Sequence, residues 1–227
     1  MKEQILILFS KWPSKGAKTR IKECVGPEVT ERFCFACLDD TVMKMQNLED
    51  TSLVIVSDTI EDSMSFYYRY GIRALSLEEM KIEPAVSASE KFHKIFEYFL
   101  KEYSKAILIP MDVPHISPGI IKNAFLKLDY FEHVYGPEFN GGVYLMGLRK
   151  LYQETFKDVR WSTENSCRDL IRNSKISFVL EMFFDLNTFE DIKLLSLEML
   201  SSCPNLKRFI KSIILQKIVI PKEVRTP

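Results

Sequence analysis

Apolar residues come in short, dense runs along this chain, and helical spacing fills much of the sequence between them. Gln4–Phe9 (QILILF), Leu53–Val56 (LVIV) and Lys105–Pro110 (KAILIP) are apolar almost throughout, the pattern of strands buried on both faces. Ile72–Leu75, Phe131–Tyr135, Val143–Leu148 and a stretch near Ile176–Glu181 read as further strands. Helical patterns run from Pro27 to about Gln46, over Ile60–Tyr70 and over Ser87–Tyr103, near Thr163–Asn173, and onward from Thr188. Another starts after Ser117, an N-cap with Pro118 at the first helical position. Short apolar strands alternating with helices predict an α/β fold, a three-layer sandwich on a mostly parallel sheet. Phe131–Tyr135 and Val143–Leu148 bracket Asn140-Gly141, a strong hairpin signal, so one antiparallel hairpin is expected there.

In such sheets ligands bind beyond the carboxyl ends of the strands. That rule selects three loops: 11–20, 111–116 and 136–142. The third is the start of GPEFNGGVYLMGL, which holds Gly136, Gly141, Gly142 and Gly147 out of only eight glycines in the chain. Glycine carries an entropic cost on folding, so a cluster marks backbone that turns tightly or lies against something. A hairpin does not account for Gly142 followed by Gly147, which suggest a bulge or the close approach of a backbone or a ligand.

The first loop carries Lys11, Lys15, Lys18 and Arg20, with no acid between Ser10 and Lys22, and contains Gly16. Cations and backbone N–H groups there suit phosphates; a solvated basic turn is the alternative. It is not a Walker A loop, because Ala17 follows Gly16. In the second loop Asp112 stands at a strand mouth, where a carboxylate holds Mg²⁺ or Mn²⁺ alongside phosphates; an ordinary strand-end turn is the alternative. His115 reads as an exposed loop residue. Ser162 or Thr163 reads as a cap for the helix that follows, and Thr188–Asp191 as a capping box.

Bulk composition narrows the partners. Lys+Arg and Asp+Glu are 31 each, so no global field draws the chain to nucleic acid or to an anionic membrane. No secretory leader is expected from Met-Lys-Glu-Gln followed by ILILF, and no run comes near the roughly 18 apolar residues a membrane span needs. Five scattered cysteines, an odd number, argue for reduced thiols and a cytoplasmic location. Cys34 and Cys37 read as small apolar side chains on a buried helix face. Residues 1–200 are expected to form the main domain, and 201–227 a C-terminal amphipathic helix and tail. Leu206, Phe209, Ile210, Ile213 and Ile214 share one face of that helix, expected to pack back onto the domain, with Lys207, Arg208 and Lys211 opposite. The last ten residues read as an extended strap or mobile end.

Taken together, these segments resemble the glycosyltransferase-A-like, or radical-SAM/selenodomain-associated, transferases. LILFSKWPSKGAKTRI…VGPE matches that family's strand, P-x-x-G-x-x-K-T-R-L and G-P-E, with Pro13, Gly16, Lys18, Thr19, Arg20, Gly26 and Pro27 in place. ILIPMDVPHISPGII matches its strand ending in D-x-P, and GPEFNGGVYLMGL its G-P-x-x-D-G-G-x-Y-L-x-G-L. Trp161-Ser162-Thr163 matches its W-S-T, and DLNTFED at 185–191 its D-x-D-T-x-x-D. The resemblance spans about residues 5–197 and implies the nucleotide-diphospho-sugar transferase fold, shared with molybdenum-cofactor and phospholactate guanylyltransferases.

It also implies roles. Lys11, Gly16, Lys18, Arg20 and Glu90 would face the nucleotide phosphates. Asp112, Asp185 and Asn187 would hold Mg²⁺ or Mn²⁺, and Asp112 and Asn140 would be the catalytic pair. Gly141, Gly142, Trp161, Ser162 and Thr163 would line the sugar or acceptor side. The donor would be a nucleotide or nucleotide sugar and the acceptor a small molecule; a homo-oligomer stays open. Two departures stand out: Asn140 and Asn187 occupy positions where the family carries aspartate, and an amide cannot act as a general base at neutral pH. Two readings follow, a metal-dependent glycosyl- or nucleotidyltransferase, and a catalytically lapsed domain that binds a nucleotide or a protein partner.

Overall fold

In the computed structural model, which describes residues 2–15, 18–83 and 85–215, the all-apolar runs sit at the centre of one sheet. β1 (Lys2–Phe9) has Ile5, Leu6 and Ile7 fully buried, because each face of this strand meets a different layer of helices. It pairs in parallel with β2 (Thr51–Ser57) on one side and β4 (Tyr103–Pro110) on the other. β3 (Ala74–Ser76) extends the parallel part past β2. Beyond β4 the direction changes: β6 (Val143–Leu148) is antiparallel to β4 and to β5 (His133–Pro137), and β7 (Ser177–Val179) closes the edge parallel to β5. The order is β3-β2-β1-β4-β6-β5-β7.

Helices cover both faces, giving the expected three layers. Leu6, Leu8, Ile107 and Val134 form one core with α2 (Pro27–Met45), α5 (Pro118–Lys127) and α9 (Pro204–Leu215). Ile5, Ile7, Val54 and Leu108 form the other with α4 (Ala88–Leu100) and α6 (Ser166–Arg172). Short α1 (Thr19–Val25), unforeseen in the sequence, and α3 (Ile60–Tyr70) complete the first half. Cys34 and Cys37 are buried on α2, as their helical spacing implied.

The C-terminal helix does pack on its own domain. Leu206, Phe209 and Ile213 are buried, and the Phe209 ring meets Phe33 of α2 at 5.7 Å between centroids. Asp40 of α2, itself buried, accepts hydrogen bonds from the Asn205 and Leu206 backbone N–H groups at 3.0 and 2.8 Å, satisfying donors at the start of α9. Ile214, counted in the apolar face, is instead 70% exposed. The tail at 218–227 lies outside the described residues.

Several boundaries differ from the sequence pattern. β3 begins two residues late because Gly71 ends α3 in the left-handed conformation and the chain must reverse first. The helix expected near Thr163 starts at Ser166, so Ser162 and Thr163 do not cap it. They belong to a tight turn: Ser162 has φ 60°, while Thr163 Oγ1 donates to the Arg160 carbonyl at 2.7 Å and accepts from the Asn165 N–H at 3.2 Å. The box at Thr188–Asp191 forms as read, opening α7 (Phe189–Lys193), with α8 (Leu197–Ser201) beyond.

Candidate functional site

The cleft at the carboxyl ends of β1 and β4 is built from three distant segments. Lys18 immediately precedes α1 in the left-handed conformation, φ 61° and ψ 58°, which for a side-chain-bearing residue costs about 1 kcal/mol. Its side chain is turned inward, only 8% exposed, and its Nζ donates to Asp112 Oδ2 at 2.5 Å and Asn187 Oδ1 at 2.6 Å. Asp112 follows β4 by two residues. Asn187 arrives on a strap laced to both neighbouring loops: Phe183 N–H donates to the Pro137 carbonyl, Phe139 N–H to that of Phe183, and Leu186 N–H to that of Asp112, at 2.9–3.0 Å. Asp191 Oδ2 fixes the far end by accepting from the Asn187 and Thr188 N–H groups at 2.9 and 2.6 Å. The Asn187 amide then donates to Asp185.

The cleft measures about 410 Å³, and its lining includes Ser10, Lys11, Lys18, Arg20, Asp112 and Asn187. Lys11 Nζ lies 3.5 Å from Asp58 Oδ2, just past β2, and Lys91 Nζ lies 3.8 Å from the other oxygen of Asp58. Gly16 lies outside the described residues. Glu90 does not join this group: it is exposed on α4, pairs with Lys94 at 2.7 Å, and lines a separate groove with Ser87, Ser89 and His93. Its neighbour Lys91 instead reaches Asp58 and lies 5.9 Å from the centre of the Phe9 ring. Trp161 also stands apart, its Nε1 donating to Ser89 Oγ at 2.8 Å and its ring 4.8 Å from Phe92. Phe92 in turn meets Phe9 at 6.0 Å, so an aromatic wall connects the W-S-T segment to the cleft.

The glycine-rich hairpin makes room for the chain's own atoms. Gly141 has φ 85°, and a Cβ there would lie 2.1 Å from the Glu164 carbonyl oxygen; its own carbonyl accepts from Cys167 N–H at 3.1 Å, tying the hairpin to α6. A Cβ on Gly142 would lie 2.3 Å from Glu138 Oε2. Gly147 faces the core between Ile107, Leu128 and Val134. The Asn140 amide oxygen is committed to the turn, accepting from Gly142 N–H at 2.7 Å.

Glu138, which sequence reasoning passed over, is a buried carboxyl in this neighbourhood. Burial, then the nearby charges of Asp185 and Asp112, push it up to about 8. Burial and Asp112 likewise raise Asp185. Burial opposes the charged form of Lys18, but Asp112 outweighs it and the ammonium is held above its ordinary range. His115 corrects an expectation: it is 4% exposed, stacked on Phe184 at 4.5 Å, and burial followed by the charge of Lys44 lowers it to about 4. Its apolar neighbours Val113 and Ile116 were the available signal.

Among the described residues no three His, Cys, Asp or Glu side chains converge on one cation position. Mg²⁺ needs only one or two carboxylates when phosphates complete its shell. Asp112 Oδ1 is buried without a hydrogen-bond partner, and Asp185 is near enough to be shifted by Asp112. These residues therefore fit Mg²⁺ or Mn²⁺ shared with a substrate phosphate.

Comparisons agree with this frame. Residues 81–163 match a family described as "uncharacterized protein conserved in bacteria" (DUF2064). The chain is 23% identical over 186 residues to 2-phospho-L-lactate guanylyltransferase of Methanobrevibacter ruminantium, covering 78% of each. A candidate nucleotide-diphospho-sugar transferase from Desulfovibrio desulfuricans G20 superposes with a TM-score of 0.80 at 19% identity, over 95% of this chain and 96% of that one. 4-Diphosphocytidyl-2C-methyl-D-erythritol synthase from Anaerococcus prevotii superposes with a TM-score of 0.52 at 12% identity, over 85% of this chain and 96% of that one. No described helix is long and apolar enough to cross a membrane. The chain has the nucleotide-diphospho-sugar transferase fold.

Proposed function

We propose that the chain is a nucleotidyltransferase that moves a nucleoside monophosphate from a nucleoside triphosphate to a small-molecule acceptor. The observation that carries this reading is the Lys18–Asp112 pair at the strand ends, cation and carboxylate facing one cleft. In the reaction an acceptor oxygen attacks the α-phosphorus, and the bond from that phosphorus to the pyrophosphate oxygen breaks. Lys18, Arg20 and Lys11 oppose the charge that grows on the leaving pyrophosphate, the largest barrier-lowering effect available to fixed charges. Asp112, Asp185 and the amide oxygen of Asn187 would hold Mg²⁺ or Mn²⁺, which when bound neutralises phosphate charge. Asn140 shapes the hairpin turn and takes no proton.

Similarity to a guanylyltransferase makes GTP the first donor to test and a phosphorylated small acid the first acceptor. Nucleotide sugars form the second donor class. The lapsed-domain reading rests on Asn140 and Asn187 and predicts nucleotide binding without turnover. A panel of nucleoside triphosphates and nucleotide sugars, each with Mg²⁺ or Mn²⁺ and a range of acceptors, separates them by pyrophosphate or nucleoside diphosphate release. Pyrophosphate release from one triphosphate is expected; no release from any pair overturns the proposal.

A further inference from the structure

Asn187 sits between two charged neighbours and treats them oppositely. Its amide oxygen accepts from Lys18 while its amide nitrogen donates to Asp185. A carboxylate at 187 would face Asp185 with no proton to give. With an amide there, one ammonium suffices: Lys18 neutralises Asp112 and occupies the oxygen of Asn187, and only 8% of its side chain is exposed. A divalent ion that used Asp112 Oδ2 and Asn187 Oδ1 would have to displace that ammonium. Phosphates give Lys18 another anion to pair with.

Resting on the nucleotide reading above, we propose that Lys18 is a displaceable resident cation that imposes an order of binding, nucleotide first and divalent metal second. The free protein holds its own positive charge between Asp112 and Asn187 and takes up metal weakly. An arriving triphosphate draws Lys18 onto its oxygens, and the two vacated oxygens then face the cleft beside Asp112 Oδ1. Asp185 keeps its bond from the Asn187 amide throughout, so the strap need not move.

The test uses Mn²⁺ alone, followed by electron paramagnetic resonance of the free ion against the full chain without nucleotide. Lys18→Met is expected to bind Mn²⁺ about tenfold or more tighter than the wild type, since a neighbouring positive charge is gone. Adding Asp112→Asn to that variant should abolish the gain. Lys18→Gln, which keeps a donor for Asp112 without the charge, is the second variant should the methionine form not fold. Equal Mn²⁺ affinity in wild type and variants overturns the inference, as does a gain that survives loss of Asp112. Thermal shift with GTP in EDTA reads the other half: a shift in the wild type, lost in Lys18→Met, supports nucleotide binding before metal, and a GTP shift that needs Mn²⁺ overturns the order. If no triphosphate shifts the wild type with or without metal, the nucleotide reading fails, and the Mn²⁺ result still decides whether Lys18 excludes the ion.

Discussion

Lys18 and Asn187 are 169 residues apart in sequence, yet their side chains meet at 2.6 Å between β1 and β4. That contact joins the first loop of the fold to the last strap over it, and the carboxylate of Asp112 completes the junction.

Removing the carboxylate should silence turnover. Asp112→Asn keeps the shape of the side chain and the hydrogen-bonding reach to Lys18 while deleting the charge. Pyrophosphate release is expected to drop about 10²-fold or more, and the thermal midpoint should fall too, because the buried Lys18 ammonium loses its counter-charge. Turnover at the wild-type level would show that the chemistry lies elsewhere.

Asn187→Asp replaces a donor to Asp185 by a second negative charge. In EDTA a loss of about 1 kcal/mol or more is expected, read as a fall of roughly 2–4 °C in the thermal midpoint for a chain of this size. Mn²⁺ should restore the midpoint. An unchanged midpoint in EDTA would mean the Asn187–Asp185 bond contributes nothing.

The two hairpin glycines should respond differently to alanine. At Gly141 the new methyl meets the Glu164 backbone at a positive φ, so Gly141→Ala should lose about 2–4 kcal/mol in urea unfolding. At Gly142 the obstacle is the movable end of Glu138, so Gly142→Ala should stay folded and lose activity as that carboxyl is pushed aside. Equal destabilisation by both would contradict this geometry.

Glu138 predicts a pH dependence. Its folded value, about 8, lies above the ordinary carboxyl value of 4.5, so the folded state binds the extra proton. Its stabilising contribution is complete below about pH 4.5 and is lost as pH rises through about 8. Urea midpoints measured in EDTA should therefore fall between pH 5.5 and 8.5 more steeply for the wild type than for Glu138→Gln. Parallel profiles would assign the slope to other groups.

Much of this was legible in the chain. The central strands declare themselves because both of their faces are buried, and Lys18 and Asp112 stand next to strand ends. What the sequence hid depends on distant partners. His115 is covered by Phe184, 69 positions later; its apolar neighbours Val113 and Ile116 signal burial but do not name that partner. Glu138, Lys91 and Asp58 are ordinary charged residues whose importance arises only when the sheet order brings their loops together. The start of α6 moved because side-chain bonds within the Arg160–Ser166 turn compete with the first helical turn.

The anchoring of α9 bears on how the chain is made. Asp40 is completed only by the backbone and side chain at 205–206, which leave the ribosome 165 residues later. Until then α2 carries a carboxylate on a surface destined for the interior, so the first half of the sheet waits for α9 to seal it. A nascent chain halted before residue 205 should remain open to protease on that side, and one halted after α9 has emerged should not. Closure of this side of the fold is thereby tied to the arrival of α9.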